Sequence, residues 1–204
     1  MAVQRLFSCQ VQQAALMSPQ NGLIKTLIKE SYKIRSIDQQ GQLWSKTNYP
    51  WGFTSYGSMS QLHLMSPHFQ ILKSKLDVKV RQYLRSLRYD VNPKSIQLST
   101  LWVNIMGTGA IHSSHIHPLS VISGTFYLQI PKGTSGIKFE DPKLPQLMAC
   151  PPLRAKCPND YKRHVELSPK VGHVILFESY LRHEVPSNQS KSDRVSVSFN
   201  YDWV

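Results

Sequence analysis

The chain has 204 residues, 41% hydrophobic and 18% charged. That is enough to bury a core without disulfides or a structural metal, and too apolar for a disordered chain. No run approaches the roughly 20 apolar residues of a membrane span, the first residues lack the pattern of a secretory leader, and three cysteines (Cys9, Cys150, Cys157) are too few for a disulfide scaffold. A cytoplasmic protein is the expectation. Charge is the unusual entry point: the net formal charge is +12, and residues 1–100 carry 13 basic and 4 acidic side chains against 11 and 8 in residues 101–204. Such a surface admits nucleic acid, an acidic protein or an anionic small molecule as partner.

In chain order, Ser18-Pro19 places a capping hydroxyl and a first-turn proline before Leu23, Ile24, Leu27 and Ile28, which predicts a helix to about Ile34. Residues 40–60 mix Gly41, Gly52 and Gly57 with Trp44, Tyr49, Trp51, Phe53 and Tyr56, and read as loop with short strand pieces. The aromatic stretch 44–56 is a candidate dimer contact or pocket wall. Ser66-Pro67 repeats the capping device before a longer helix. Its apolar stripe is Leu72, Leu76, Val80, Tyr83 and Leu87, with Lys73, Lys79, Arg81, Arg85 and Arg88 off that stripe.

From Ser95 onward the chain reads as strands: Ile96–Met106, Val121–Ile130, Gly136–Phe139, His164–Leu167, His173–Phe177, His183–Pro186 and Arg194–Trp203. Seven or so short strands without intervening helices predict a sandwich, jelly roll or barrel. The expected division is 1–94 as a helical buttress and 95–204 as a mostly β core, interrupted by an irregular proline-rich insertion at 142–159.

The candidate chemistry lies in the histidines. His115 and His117 are two apart, so on a strand both rings leave one face and can converge on one metal. His183 is the candidate third ligand. His112 falls out of phase with His115 by strand alternation and is set aside. Arg194 and Ser196 share a face of the last strand, and an arginine fork beside a hydroxyl suits a carboxylate. Cys150 and Cys157 with His164 nearby make a weak zinc pattern, better read as free thiols in a loop.

The ordered set Gly109, His115-Ile116-His117, His173-Val174-Ile175-Leu176-Phe177, His183 and Arg194-Val195-Ser196 resembles the iron(II)- and 2-oxoglutarate-dependent oxygenases. His115-Ile116-His117-Pro118, Ser123-Gly124-Thr125-Phe126-Tyr127-Leu128, Phe139-Glu140-Asp141-Pro142 and Arg194-Val195-Ser196-Val197-Ser198-Phe199-Asn200 resemble, more narrowly, an uncharacterised bacterial and phage branch of them. The resemblance implies a double-stranded β-helix, or jelly roll, with the N-terminal helices packed on its outer sheet. It also implies Fe(II) on His115, His117 and His183, and 2-oxoglutarate on Arg194 and Ser196; Asn104, which alternates with Trp102 on the preceding strand, is the candidate to support the site or reach the cosubstrate. O2 would then drive decarboxylation to succinate and CO2 with hydroxylation of a substrate, either a small molecule or a peptide, an acidic one fitting the charge. His117 stands where the family places a carboxylate. Three arrangements are open: a three-histidine triad, a two-histidine site with His117 turned away, or a carboxylate brought from elsewhere, and the i, i+2 geometry favours the first.

Two other readings compete. A cupin shares the Gly109 to His117 spacing but requires a glutamate where this chain has Val121 and Ile122. A noncatalytic barrel could present Arg81, Arg85 and Arg88 to nucleic acid or an acidic partner.

Overall fold

The computed structural model describes residues 2–4 and 6–204. The elements run β1 (Val11–Ala15), α1 (Gly22–Ile37), α2 (Gln39–Asn48), β2 (Gly52–Thr54), α3 (Leu62–Met65), α4 (Pro67–Leu87), β3 (Ile96–Met106), β4 (His112–His115), β5 (Ile122–Gln129), β6 (Ile137–Glu140), β7 (His164–Leu167), β8 (His173–Glu178), β9 (His183–Val185) and β10 (Arg194–Trp203). They form a six-stranded sheet ordered β1-β8-β5-β10-β3-β2 and a four-stranded sheet ordered β4-β9-β6-β7, all pairs antiparallel. The two sheets make the expected jelly roll. No helix among the described residues is long and apolar enough to cross a membrane.

Alternation along the strands explains the layering. On the six-stranded sheet Leu101, Val103, Phe126, Val197 and Phe199 face outward, and Leu27 of α1 with Leu72, Leu76, Val80 and Tyr83 of α4 covers them in one continuous core. The helices therefore buttress the outer sheet, as expected. Leu76 is fully buried there, so truncating it to alanine would cost about 2–5 kcal/mol. The basic residues Arg81, Arg85 and Arg88 lie on the exposed side of α4. Between the sheets a smaller core gathers Tyr127, Ile137, Phe139, Ile175, Phe177 and Leu181. Gly124 sits where β5 passes between its neighbours: an added Cβ would lie 2.6 Å from the Ile175 carbonyl and from the Phe199 ring, so a side chain there would push a backbone strand aside.

Several sequence expectations are corrected. The first helix begins at Gly22, not at Pro19, because Asn21 caps it, its Oδ1 accepting from Leu23 N; Ser18 instead closes a small turn with Gln20. Residues 39–48 are helical rather than loop, capped by Asp38, whose carboxylate accepts from Gly41 N. Ser66 caps α4 as expected, with Pro67 in its first turn, and Arg88 in the left-handed region ends it ahead of Asp90. Val11–Ala15, unassigned from sequence, pairs with β8, and β2 pairs with β3, so residues before the β-rich half supply both edges of the larger sheet. β6 and β7 form a hairpin whose connection is the proline-rich insertion, held at its root by Asp141 N donating to Arg163 O at 2.8 Å.

Candidate active site

The site lies between the sheets, on the inner faces of β3, β4, β5, β9 and β10. Register places its polar groups. Over ten residue pairs β10 and β3 run antiparallel with Arg194 opposite Met106, Ser196 opposite Asn104 and Ser198 opposite Trp102. Since side chains alternate, Arg194, Ser196, Ser198 and Asn200 all point inward, while Val195, Val197 and Phe199 go to the outer core.

His115 and His183 are direct cross-strand partners on β4 and β9, which puts both rings on one face. His117 lies just past the end of β4, not on it as the spacing suggested, and its backbone N–H donates to Ser179 O at 3.0 Å. The turn still delivers its ring to the same place. Ring centroids of His115 and His183 are 4.3 Å apart, and one nitrogen from each of the three histidines lies within 4.8 Å of the others. It is the only such group of metal-ligating side chains among the described residues; Cys150, Cys157 and His164 do not form one.

Hydrogen bonds determine which nitrogen faces inward. His115 Nδ1 lies 2.7 Å from Ser113 O, and His183 Nδ1 2.9 Å from Leu181 O. His117 Nδ1 lies 2.6 Å from Asn200 Oδ1, which also accepts from Ser123 Oγ at 2.8 Å, and Ser123 in turn contacts Ser179 Oγ at 2.7 Å. A carbonyl can only accept, so each Nδ1 carries the proton and each Nε2 is left as a lone pair. Burial disfavours the imidazolium throughout: it lowers His183 to about 2 and His117 to about 4, and lowers His115 as well. The Nε2 atoms of His115 and His117 are 3.2 Å apart. Two lone pairs at that distance repel unless a cation lies between them. Ligands about 2.1 Å from one ion, at angles of about 90–110°, stand about 3.0–3.4 Å apart, which the observed spacing matches. Of the three arrangements left open by sequence, the triad is the one the geometry favours. His117 turns inward, and no acidic residue among the described residues lines the pocket.

Arg194 occupies the other end. It is 3% exposed, no carboxylate among the described residues pairs with it, and its Nη1 meets the Met106 thioether at 3.0 Å, a weak acceptor. Its Nε has no partner, and its guanidinium carbon lies 5.2 Å from the centre of the Tyr127 ring. Asn104 donates from Nδ2 to Ser198 Oγ at 3.0 Å while its buried Oδ1 is unpaired. Buried polar atoms without partners are uncommon in folded proteins, and they cluster here along the path from the histidines to Arg194. Ser196 lines the same path.

Residues 100–200 match the family model described as "Putative 2OG-Fe(II) oxygenase". This segment is a domain of that oxygenase family. No curated protein matches the chain in sequence. Among solved structures, HygX from Streptomyces hygroscopicus, crystallised with nickel and 2-oxoglutarate, shares 13% identity at a TM-score of 0.66, covering 97% of this chain and 84% of its own. A Pseudomonas putida prolyl-4-hydroxylase shares 13% at 0.63, covering 96% and 94%. The viral collagen prolyl hydroxylase of Paramecium Bursaria Chlorella virus-1, solved as a 2-oxoglutarate complex, shares 14% at 0.58, covering 95% and 96%. These likenesses establish the shared fold.

Within this oxygenase the structure joins His115, His117, His183, Arg194, Ser196 and Asn104 in one pocket, and adds residues that sequence reasoning missed. Asn200, which fixes His117, had a signal: it shares the parity of Arg194, Ser196 and Ser198. Tyr49, at the end of α2, belongs to the aromatic stretch 44–56 that was expected as a dimer contact or pocket wall, and it does line the pocket. His112 was excluded by alternation, yet it lines the pocket with its ring centroid 4.6 Å from that of His115. The β4–β9 ladder explains it: His112 pairs with Val185 and His115 with His183, so three steps on one strand match two on the other. This bulge returns His112 to the inner face.

Proposed function

We propose that the protein is an Fe(II)- and 2-oxoglutarate-dependent dioxygenase in which His115, His117 and His183 hold the metal, with Arg194, Ser196 and Asn104 taking 2-oxoglutarate. The observation that carries this reading is the opposed lone pairs of His115 and His117, 3.2 Å apart in a buried site without an acidic residue. Bound iron supplies the oxygen chemistry that converts 2-oxoglutarate and O2 to succinate and CO2 while oxidising a substrate C–H bond.

The protein's part follows from its own residues. Asn200 and the carbonyls of Ser113 and Leu181 keep three lone pairs aimed at one point, so the cation meets ligands already oriented. Three neutral imidazoles leave both charges of the metal uncompensated. Together with the Arg194 guanidinium this favours a dianionic cosubstrate lying between them. Ser196 donates beside Arg194, and Asn104 bridges towards the metal end. Phe177, Ile137 and Trp102 exclude water along the walls.

The substrate is a small molecule or peptide, and the mouth favours an acidic one. Arg182 lies beside His183, and the insertion that leaves β6 next to it carries Lys143, Arg154 and Lys156. That insertion is a candidate lid. The deciding experiment loads the purified protein with Fe(II) under anaerobic conditions, titrates 2-oxoglutarate, and then admits O2. A visible charge-transfer band followed by stoichiometric succinate is expected. Metal uptake without either signal would instead support a cupin-like or noncatalytic barrel.

A further inference from the structure

The pocket is lined by a single permanent cation, Arg194, and most of the net charge lies elsewhere. Residues 18–94 hold 12 basic and 4 acidic side chains. Three of those acids are committed to structural tasks. Asp38 is buried, capping α2 and accepting from Ser58 Oγ at 2.6 Å. Asp77 accepts from Lys73 Nζ and from the Tyr201 hydroxyl, each at 2.8 Å. Glu30 accepts from Ser66 Oγ at 2.7 Å and lies 2.6 Å from His68 Nδ1, which clamps α1 to the start of α4. The fourth, Asp90, is exposed past the end of α4.

The cations point the other way. Both helices bury one apolar stripe on the outer sheet, Ile24, Leu27 and Ile34 from α1 and Leu72, Leu76 and Val80 from α4. Their opposite faces therefore look out on the same side of the molecule. Lys25, Lys29 and Lys33 recur every fourth residue on the outward face of α1, about 6 Å apart along its axis. Lys75, Arg81 and Arg85 extend the same field on α4. All six are exposed, and no carboxylate among the described residues pairs with any of them. Like charges four apart on a helix repel, so the fold gains nothing from this arrangement.

Three kinds of partner carry enough negative charge to meet it. An anionic membrane takes up the apolar face of a helix, and here those faces are already buried in the core. The outward side of α4 leaves only Ile71 and Val78 half exposed, at 48% and 47%. An acidic protein segment presents carboxylates at uneven spacings and is held by fixed geometry, which arginine forks supply and lysine point charges do not. A nucleic-acid duplex carries one charge per about 1.7 Å of its axis, and the 21 residues of α4 extend about 30 Å, so phosphates meet the field along its whole length.

We infer that the outward face of α1 and α4 is a docking surface for the sugar–phosphate backbone of a nucleic-acid duplex, without regard to base sequence. It lies on the outer side of the six-stranded sheet, whereas the pocket lies on the inner side. The duplex therefore tethers the protein and does not enter the pocket. The helices are then more than a buttress: they place the barrel on a polyanion.

The test titrates the full chain into a labelled DNA duplex of about 20 base pairs, read by fluorescence anisotropy from about 50 to about 200 mM salt. Wild type should bind at low salt and lose about a thousandfold in affinity across that range, as about six phosphate contacts require. Lys25→Gln, Lys29→Gln and Lys33→Gln combined should lower the slope of log affinity against log salt by about 2–3. Arginine at the same three positions should retain it. Lys143→Gln, Arg154→Gln and Lys156→Gln combined remove the same charge from the proline-rich insertion and should leave the slope nearly unchanged. All these side chains are exposed, so the variants should melt with the wild type. No binding at about 50 mM salt, or equal losses in the two glutamine triples, overturns the proposal. So does tighter binding to polyglutamate or to phosphatidylserine vesicles, which would assign the face to an acidic protein or a membrane. The titration needs neither metal nor 2-oxoglutarate, so its failure leaves the dioxygenase reading intact.

Discussion

The two ends of the pocket are built on opposite principles. At the histidine end every ring is already satisfied on its outer side: Ser113 and Leu181 carbonyls and the Asn200 amide hold the three Nδ1 atoms, leaving lone pairs crowded together. At the arginine end donors are crowded instead, with Arg194 Nε unpaired and a thioether as the only partner of its fork. One end presents crowded lone pairs and the other crowded donors. Since no acidic residue among the described residues lines the pocket, neither end can satisfy the other, and this asymmetry is what the proposed metal and cosubstrate would meet.

Removing one member of the crowded lone pairs should break the comparison most completely. His183→Ala is expected to abolish succinate formation and lower metal affinity by about a hundredfold or more, read by competition with a chelating dye. Persistent turnover would show that the metal lies elsewhere. The converse change at the opposite end, Arg194→Ala, should raise the dissociation constant for 2-oxoglutarate by about a hundredfold, because a buried charge-assisted pair is lost. Metal affinity should hardly move, and a parallel loss of metal would mean that the two ends are not separable.

A subtler probe leaves all three ligands in place. Asn200→Ala frees the His117 ring, and the expected outcome is a metal affinity about tenfold weaker with 2-oxoglutarate affinity at saturating metal retained. An unchanged metal affinity would reduce Asn200 to packing. The smallest effect is on stability. The histidines are depressed below their ordinary value by burial, to about 2 for His183 and about 4 for His117, so the unfolded chain binds more protons than the folded one as pH falls below about 6.5. The stability they contribute is present above that pH and is lost as pH falls towards the folded values. The metal-free protein should therefore melt several degrees lower at pH 5 than at pH 7. His183→Gln should flatten that dependence, and a variant with the wild-type slope would assign it to carboxylates instead.

How much of this was legible varied with the physics involved. The six candidate residues first named from sequence all line the pocket, four of them through strand parity, which is local: His115, Asn104, Arg194 and Ser196 each lie at an inward position of a strand whose pattern is clear. Ser66 at the start of α4 is equally local and was read correctly. α2 was missed because Gly41 and a poor apolar stripe hide it; its helix is secured by Asp38 and by Ser45, whose hydroxyl accepts from Thr54 N across the contact with β2. β1 was missed because a strand at a sheet edge needs only one neighbour, and that neighbour, β8, is remote in sequence.

By itself the sequence determined the alternation, the N-terminal cap of its longest helix and the order of histidines, arginine and serine, because these depend on residues within a few positions of one another. The basic first half, which suggested nucleic acid, ends largely on exposed helix faces such as that of α4. Only the tertiary structure decided which ring nitrogens face each other, that a bulge turns His112 inward, and that Tyr49 closes the arginine end. Each of those depends on the pairing of distant segments, and a change of one residue in a ladder reverses which face a side chain occupies.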